Sequence, residues 1–244
     1  MELRFLGSGD AFGSGGRFNT CFYVRDRKGA FLVDCGASSM IALRKFKVEP
    51  NTVRAILVTH LHGDHFGGLP FFILDAQLVS RRTAPLTIAG PAGLRNRLTA
   101  AMETLFPGST ELNRSFAMDI RELEPQIAHN VDDIQVTPYV VKHASGALPF
   151  AYRIEVDGKI LCYSGDTEWV HTLAEAAKGA DLFVAECYFY DRQVKFHLDY
   201  ATLAQHLPEI GAKRVVLTHM GQDMLARTEQ IEYETASDGM VVSI

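Results

Sequence analysis

Hydrophobic and polar positions along the chain alternate in short stretches that predict more strands than helices in the first part. Residues 2–6 alternate and predict a first strand. Paired apolar runs predict two hairpins, at 20–24 with 30–33 and at 150–156 with 159–163. Apolar runs bounded by polar or glycine residues predict further strands at 53–58, 86–89, 134–141, 181–185 and 214–217.

Longer apolar periodicities predict helices between these strands. The predicted helices cover 38–46, 69–78, 91–105, 169–178 and 199–207. Pro91 is taken as the start of the third helix because proline is favoured at the first helical position. Segment 106–130 has no clear pattern. Hairpins in both halves together with helices predict an α+β protein of two packed sheets flanked by helices, and 1–244 is most simply one domain.

Side chains that can bind metals follow several of the predicted strands directly. These residues are Asp34, His60, His143, Asp166, Glu186 and His219. Loops at one edge of a sheet sandwich can converge, and scattered polar residues would not be expected to share that position. The pattern therefore predicts a functional site at one edge of the sheets.

The densest group of such side chains is His60-x-His62-x-Asp64-His65, immediately after the strand at 53–58. Side chains two apart in an extended loop point the same way, so His60 and His62 are expected to share one ion. Asp64 and His65 are adjacent and are expected to diverge toward a second ion. Imidazole nitrogen and carboxylate oxygen are ligands of zinc and neighbouring metals. The motif predicts a metal site.

Two other stretches leave alternatives open. The glycine-rich residues 7–16 fit either a flexible turn or a loop whose backbone N–H groups approach an anion. Tyr188, Phe189 and Tyr190 fit either the wall of a pocket or the core.

Composition narrows the class of protein. A net charge of −5 and a pI near 6.0 argue against a broad basic face for nucleic acid. The four cysteines are scattered and predict buried thiols rather than disulfides. No leader-like segment or membrane-length apolar run is present, so a cytoplasmic protein is expected.

The chain resembles the metallo-β-lactamase superfamily, whose fold is an αββα sandwich with a two-metal site along one edge. The ligands implied by this resemblance are His60, His62 and His143 for one ion and Asp64, His65 and His219 for the other, with Asp166 bridging the pair. Asp34 would support the ligands without binding a metal. Two divalent ions are implied, with zinc favoured over manganese or iron.

Within the superfamily, the motifs Leu6-Gly7-Ser8-Gly9 and Ser164-Gly165-Asp166-Thr167 resemble the ribonuclease Z-like phosphodiesterases. His197-x-Asp199-x-x-Thr202 resembles the phosphodiesterases of the carbon–phosphorus lyase pathway. The resemblance implies catalytic roles for Asp64, for His197 as general acid and for Glu186, which would orient His197. Only 22 residues separate His143 from Asp166, which leaves no room for the transfer-RNA arm of ribonuclease Z.

The function expected from these residues is a two-metal hydrolase of small or cyclic phosphodiesters, in which hydroxide attacks phosphorus and His197 protonates the leaving group. The alternatives are a thioester or lactone hydrolase on the same site, and a metal-binding accessory protein without activity. The expected partner is a small anionic ester, with no stable nucleic-acid complex and no membrane. The residues do not fix the oligomeric state, and a homodimer is compatible with them.

Overall fold

The structure is a computed structural model that describes all 244 residues. Its strands are β1 (Glu2–Gly7), β2 (Cys21–Arg25), β3 (Ala30–Val33), β4 (Val53–Leu57), β5 (Leu86–Gly90), β6 (Met118–Glu122), β7 (His129–Val131), β8 (Ile134–Val140), β9 (Phe150–Val156), β10 (Lys159–Tyr163), β11 (Leu182–Glu186), β12 (Val215–Thr218), β13 (Glu234–Thr235) and β14 (Val241–Ser243). Its helices are α1 (Ser39–Lys45), α2 (Gly63–Phe66), α3 (Leu69–Leu78), α4 (Leu94–Leu105), α5 (His171–Ala177), α6 (Tyr200–Ile210) and α7 (Gln222–Leu225).

The strands form two mixed sheets of seven strands each. The first sheet has the order β14-β1-β2-β3-β4-β5-β6, and the second has the order β13-β12-β11-β10-β9-β8-β7. Each sheet has an antiparallel part and a parallel part. In the first sheet β14, β1, β2 and β3 pair antiparallel and β3 to β6 pair parallel. In the second sheet β7 to β10 pair antiparallel and β10 to β13 pair parallel. Carboxyl ends of parallel strands meet at one edge of a sheet, so both sheets present several loops at an edge.

The elements form four layers, with helices on the outer face of each of the two packed sheets. The central apolar cluster lies between the sheets, where the rings of Phe5, Phe22 and Tyr163 meet edge to face. Outer clusters pack α1, α3 and α4 against the first sheet and α5 and α6 against the second. The architecture is the αββα sandwich expected from the sequence.

Most predicted elements form, with differences at their ends. The helix expected at 91–105 begins only at Leu94, because Gly93 has a φ of 90° and cannot belong to a helix. The helix expected to end at residue 207 continues through Pro208 to Ile210 and stops at Gly211, which has a left-handed conformation. The patternless segment 106–130 contains β6 and part of β7.

No helix of the structure is long and apolar enough to span a membrane, and the longest is the twelve-residue α4.

Candidate metal centre

Four of the expected ligands follow β4 in the first sheet. His62 has extended backbone and precedes the short helix α2, which contains Asp64 and His65. The expectation that Asp64 and His65 diverge from each other is wrong, because the ends of the two side chains come together although neighbouring residues of a helix point in different directions. The Oδ2 atom of Asp64 lies 3.3 Å from Nε2 of His65.

The second sheet supplies the remaining candidates. His143 follows β8, Asp166 follows β10 and His219 follows β12, in loops at the edge that faces the β4 loop. His219 has a φ of 56°, a conformation unusual for a residue with a side chain. All seven side chains therefore meet between the two sheets, although they are separated by up to 159 positions from His60 to His219.

These side chains form two adjacent groups of potential ligand atoms. The first group consists of His60, His62 and His143, and the second of Asp64, His65, Asp166 and His219. Within each group the ligand atoms lie within 4.8 Å of one another. In the first group Nε2 of His143 is 3.0 Å from Nδ1 of His62.

The Asp166 carboxylate lies between the two groups. Its Oδ2 atom is 3.9 Å from Nε2 of both His60 and His143 and 3.2 Å from Nε2 of His219. Its Oδ1 atom is 3.3 Å from Nε2 of His65. A carboxylate in this position can reach a cation in either group.

Hydrogen bonds at the far side of each ring fix which nitrogen faces the centre. Nδ1 of His65 is 2.6 Å from Oδ2 of the buried Asp34, and that oxygen also accepts a hydrogen bond from the Thr59 hydroxyl at 2.8 Å. Since the Thr59 hydroxyl donates to Asp34, it accepts from Nδ1 of His60, which lies 3.1 Å away. Both imidazoles therefore present Nε2 to the centre, as metal-ligating histidines do when an outer partner holds Nδ1–H.

The other three rings also have a hydrogen-bond partner on the side away from the centre. Nδ1 of His143 donates to the carbonyl oxygen of Phe196 at 2.8 Å, and Nδ1 of His219 lies 3.2 Å from the Thr20 hydroxyl. His62 is reversed, because its Nε2 donates to the carbonyl oxygen of Ala144 at 3.0 Å and leaves Nδ1 facing His143.

The residues present fit divalent metal ions. Nε2 of His60, Nε2 of His65 and Oδ1 of Asp166 are buried and make no well-aligned hydrogen bond, although the last two atoms lie 3.3 Å apart. Buried polar atoms are rarely left without a partner, and here all three point into the ligand groups. Neutral imidazoles and ionised carboxylates are the forms that bind zinc and similar cations.

Electrostatics within the cluster favours those forms for several members. Burial alone would raise the pKa of Asp166, but His219, His65 and His60 outweigh it and hold that pKa well below its ordinary value. Burial, with nearby His65, keeps the pKa of His60 well below its usual range. His65 is the exception, because Asp166, Asp64 and Asp34 together outweigh burial and raise its pKa.

His197 and Glu186 lie beside the two groups. Nδ1 of His197 is 3.1 Å from Oε2 of the fully buried Glu186. The His197 ring stacks parallel to that of His219 at 6.0 Å, and its ligand-type atoms lie within 4.8 Å of those of His143 and Asp166. Burial opposes protonation of His197, but the Glu186 carboxylate outweighs it and raises the pKa of His197 to about 9. Burial raises the pKa of Glu186 to about 7.

A cavity of about 280 Å³ opens onto these side chains. Its polar lining is formed by members of both ligand groups and by His197. The remaining lining residues are Ala11, Phe12, Tyr188, Phe189 and Val194. Of the three aromatic residues at 188–190, only Tyr188 and Phe189 line this cavity, and Tyr190 packs against Tyr200.

Sequence reasoning missed the residues that orient the rings. Thr20, Thr59 and the backbone carbonyl of Phe196 carry no sequence signal for this role. Phe196 has a φ of 75°, which turns its carbonyl toward His143 while its neighbour His197 enters the cavity.

Comparison with known protein families identifies the family of this chain. The model of the family described as Anti-Pycsar protein Apyc1 matches residues 1–238. The chain belongs to this family. It is also a ribonuclease Z-like, metal-dependent hydrolase of the metallo-β-lactamase superfamily, as its relatives in sequence and structure agree.

Its relatives include the ribonuclease Z of Exiguobacterium sp. strain AT1b, which is 26% identical over 98% of this chain and 94% of the relative. Among solved structures, the short form of human tRNase Z is 27% identical and has a TM-score of 0.81. The match covers all of this chain and 99% of the human protein. A diphosphatase of the PhnP family is 16% identical with a TM-score of 0.79, over all of this chain and 97% of that one, and shares the fold.

Proposed function

We propose that residues 1–244 form one hydrolase domain that cleaves small or cyclic phosphodiesters with two divalent metal ions, for which zinc is the best candidate. The observation that supports this most directly is the His197–Glu186 pair, which shares a cavity with the two ligand groups. A phosphodiester needs a proton at its leaving oxygen, and an imidazole held by a carboxylate can supply it.

In this proposal the seven side chains that meet between the sheets hold the metals. His60, His62 and His143 would hold one ion and Asp64, His65 and His219 the other, and the Asp166 carboxylate would serve as a ligand shared by the two groups. Such ions supply an activated water for attack on phosphorus and neutralise charge on the phosphoryl oxygens. Donor chemistry favours zinc, since imidazole nitrogen predominates in both groups.

His197 is assigned to the leaving group. Its Nδ1 is occupied by Glu186, so Nε2 is the atom that delivers the proton, and the cavity gives that atom access to a bound ester. Glu186 is fully buried and also accepts the backbone N–H of Thr167, which fixes the carboxylate relative to β10 and β11. Asp64 is proposed to act within the second ligand group, where it contacts His65.

The size of the substrate is argued from the surroundings of the cavity. A volume of about 280 Å³ suits a compact ester. The 22 residues between His143 and Asp166 are largely used by the β9–β10 hairpin, and they provide no projecting arm for a folded RNA. Several relatives nevertheless carry the name ribonuclease Z, so an RNA substrate has to be part of any test.

The proposal is tested with the protein loaded with zinc and, separately, with manganese. The substrates are bis(p-nitrophenyl) phosphate, cyclic nucleotides, a thioester, a lactone and a precursor transfer RNA. We expect turnover of the linear and cyclic phosphodiesters. Turnover of the thioester or lactone alone would contradict the proposal, and cleavage of the RNA would contradict the restriction to small esters.

The role of His197 is tested by His197→Ala together with metal analysis. We expect the variant to keep both metal ions and to lose about 100-fold or more of its phosphodiesterase activity. His129→Ala is the matched control, because His129 lies at the start of β7 and contacts the backbone of Glu124 outside the cavity. Normal turnover by His197→Ala would remove the general-acid role.

A further inference from the structure

Phe12 is an unusual residue in the structure because its ring is both exposed and placed beside the metal centre. It is 86% exposed, more than any other large apolar side chain of the chain. It nevertheless lines the cavity that contains His62, His143 and His197. The ring contributes nothing to the core, so the fold does not explain why a phenylalanine stands there.

The loop that carries Phe12 has a fixed shape. The buried Asp10 carboxylate accepts hydrogen bonds from the backbone N–H of Phe12 at 3.3 Å and of Ser14 at 2.8 Å, and from the Ser14 hydroxyl at 2.7 Å. At the base of the loop, the Asp238 carboxylate accepts from the backbone N–H groups of Ser8 and Phe18 at 2.9 and 2.8 Å. The glycine-rich segment is therefore a built turn that presents the Phe12 ring at the mouth of the cavity.

The lining of the cavity combines two kinds of side chain. Imidazoles and carboxylates form the proposed metal centre, and apolar side chains that include Phe12, Phe189 and Val194 line the same cavity. An ester whose phosphoryl group lies at the metal centre can therefore place its organic group against these apolar side chains.

We propose that Phe12 is a specificity-determining residue that packs face to face or edge to face on a planar aromatic group of the substrate. This inference rests on the proposed function, since it assumes that a phosphoryl group occupies the metal centre. Aromatic rings stack favourably on phenylalanine, whereas a small alkyl group does not cover the ring. The turn built on Asp10 holds the backbone that carries the ring.

The test compares two ligands that differ only in the ring, phenyl phosphate and methyl phosphate. Their affinities for the zinc-loaded protein are measured by isothermal titration calorimetry, so the measurement does not depend on activity. We expect wild-type protein to bind phenyl phosphate more tightly. Phe12→Ala should weaken phenyl phosphate about tenfold and leave methyl phosphate unchanged, since one stacked ring has an effect of this order.

Two further variants separate an aromatic contact from apolar bulk. Phe12→Leu keeps most of the apolar volume without a ring. We expect its affinity for phenyl phosphate to lie between that of Phe12→Ala and that of the wild type. Ile127→Ala removes another exposed apolar side chain, 49% exposed and outside the cavity, and should behave as wild type.

Each contrary result has a distinct meaning. An unchanged affinity for phenyl phosphate in Phe12→Ala, or an equal loss for both ligands, would overturn the role of Phe12 and leave the proposed function standing. Wild-type preference for phenyl phosphate in Phe12→Leu would overturn the aromatic specificity. Failure of wild-type protein to bind either phosphate would overturn both this inference and the proposed phosphoryl site.

Discussion

Asp34 shows how a residue that touches no metal can decide the geometry of the centre. Its carboxylate is fully buried and accepts from Nδ1 of His65, from the backbone N–H of Thr59 and from the Thr59 hydroxyl. It has a φ of 59°, so the turn after β3 is bent to bring the carboxylate to these partners. Two of the imidazoles therefore depend on this one side chain, one directly and one through Thr59.

We expect Asp34→Asn to weaken zinc binding about 10- to 100-fold, because the amide cannot accept all three hydrogen bonds and the His65 ring loses its orientation. Competition with a chromophoric chelator measures the change. Asp119→Asn is the matched control, since that carboxylate is exposed and contacts only Arg121. Equal zinc affinity in the two variants would contradict the supporting role of Asp34.

The His197–Glu186 pair leads to a prediction about pH. A general acid must be protonated, so activity falls as the pH rises through the pKa of His197. The Glu186 carboxylate raises that pKa against the effect of burial. In Glu186→Gln this support is lost, and the alkaline fall in kcat/KM should move to lower pH by about one unit. Glu209→Gln, on the exposed side of α6, should leave the profile in place, and an unshifted profile in Glu186→Gln would rule out the coupling.

At the scale of the residue, the sequence predicted which side chains form the site but not how their rings are oriented. The motif at 60–65 and the histidines after two later strands were sufficient to select the side chains that meet in the structure. The partners of their outer nitrogens could not be predicted, because a threonine hydroxyl or a backbone carbonyl becomes a partner only through the folded geometry. Phe196 is the clearest case, since its contribution is a carbonyl turned by a positive φ.

At the scale of the element, α6 links the fold to the cavity. Asp199 is the N-cap of the helix, and its carboxylate accepts a hydrogen bond from the backbone N–H of Thr202 at 2.8 Å. His197 lies two residues before this cap. We expect Asp199→Ala to lower the free energy of unfolding by about 1 kcal/mol in urea titrations, whereas Asp199→Ser should keep most of the stability because serine also caps helices. Equal losses in the two variants would show that the carboxylate does not act as a cap.

The elements themselves were predicted where the pattern was strong and missed where it was short. Helix α3 and the β9–β10 hairpin have the predicted bounds, because long apolar runs and the Asp157-Gly158 turn specify them locally. Strands β13 and β14 have two and three residues and show no periodicity of their own. They form because β12 and β1 offer free edges, which is a property of the assembled sheets.

At the scale of the whole molecule, the metal centre joins the two sheets. The loop after β4 belongs to the first sheet, whereas His143, Asp166 and His219 follow strands of the second. Chain order alone indicated that these side chains follow strands. It did not indicate that β14 returns from the carboxyl end to pair with β1, which places Asp238 beside Ser8 at the base of the glycine-rich loop.

Because both sheets contribute ligands, bound metal should stabilise the entire fold. Without it, three buried polar atoms of His60, His65 and Asp166 make no well-aligned hydrogen bond. We expect a chelator to lower the Tm of the zinc-loaded protein by about 5–10 °C, the shift that corresponds to a ligand present at about 100 times its dissociation constant. His219→Ala should show a smaller chelator effect, because one ligand group is incomplete, and His129→Ala should respond as wild type. An identical Tm with and without chelator would show that the ions do not couple the two sheets.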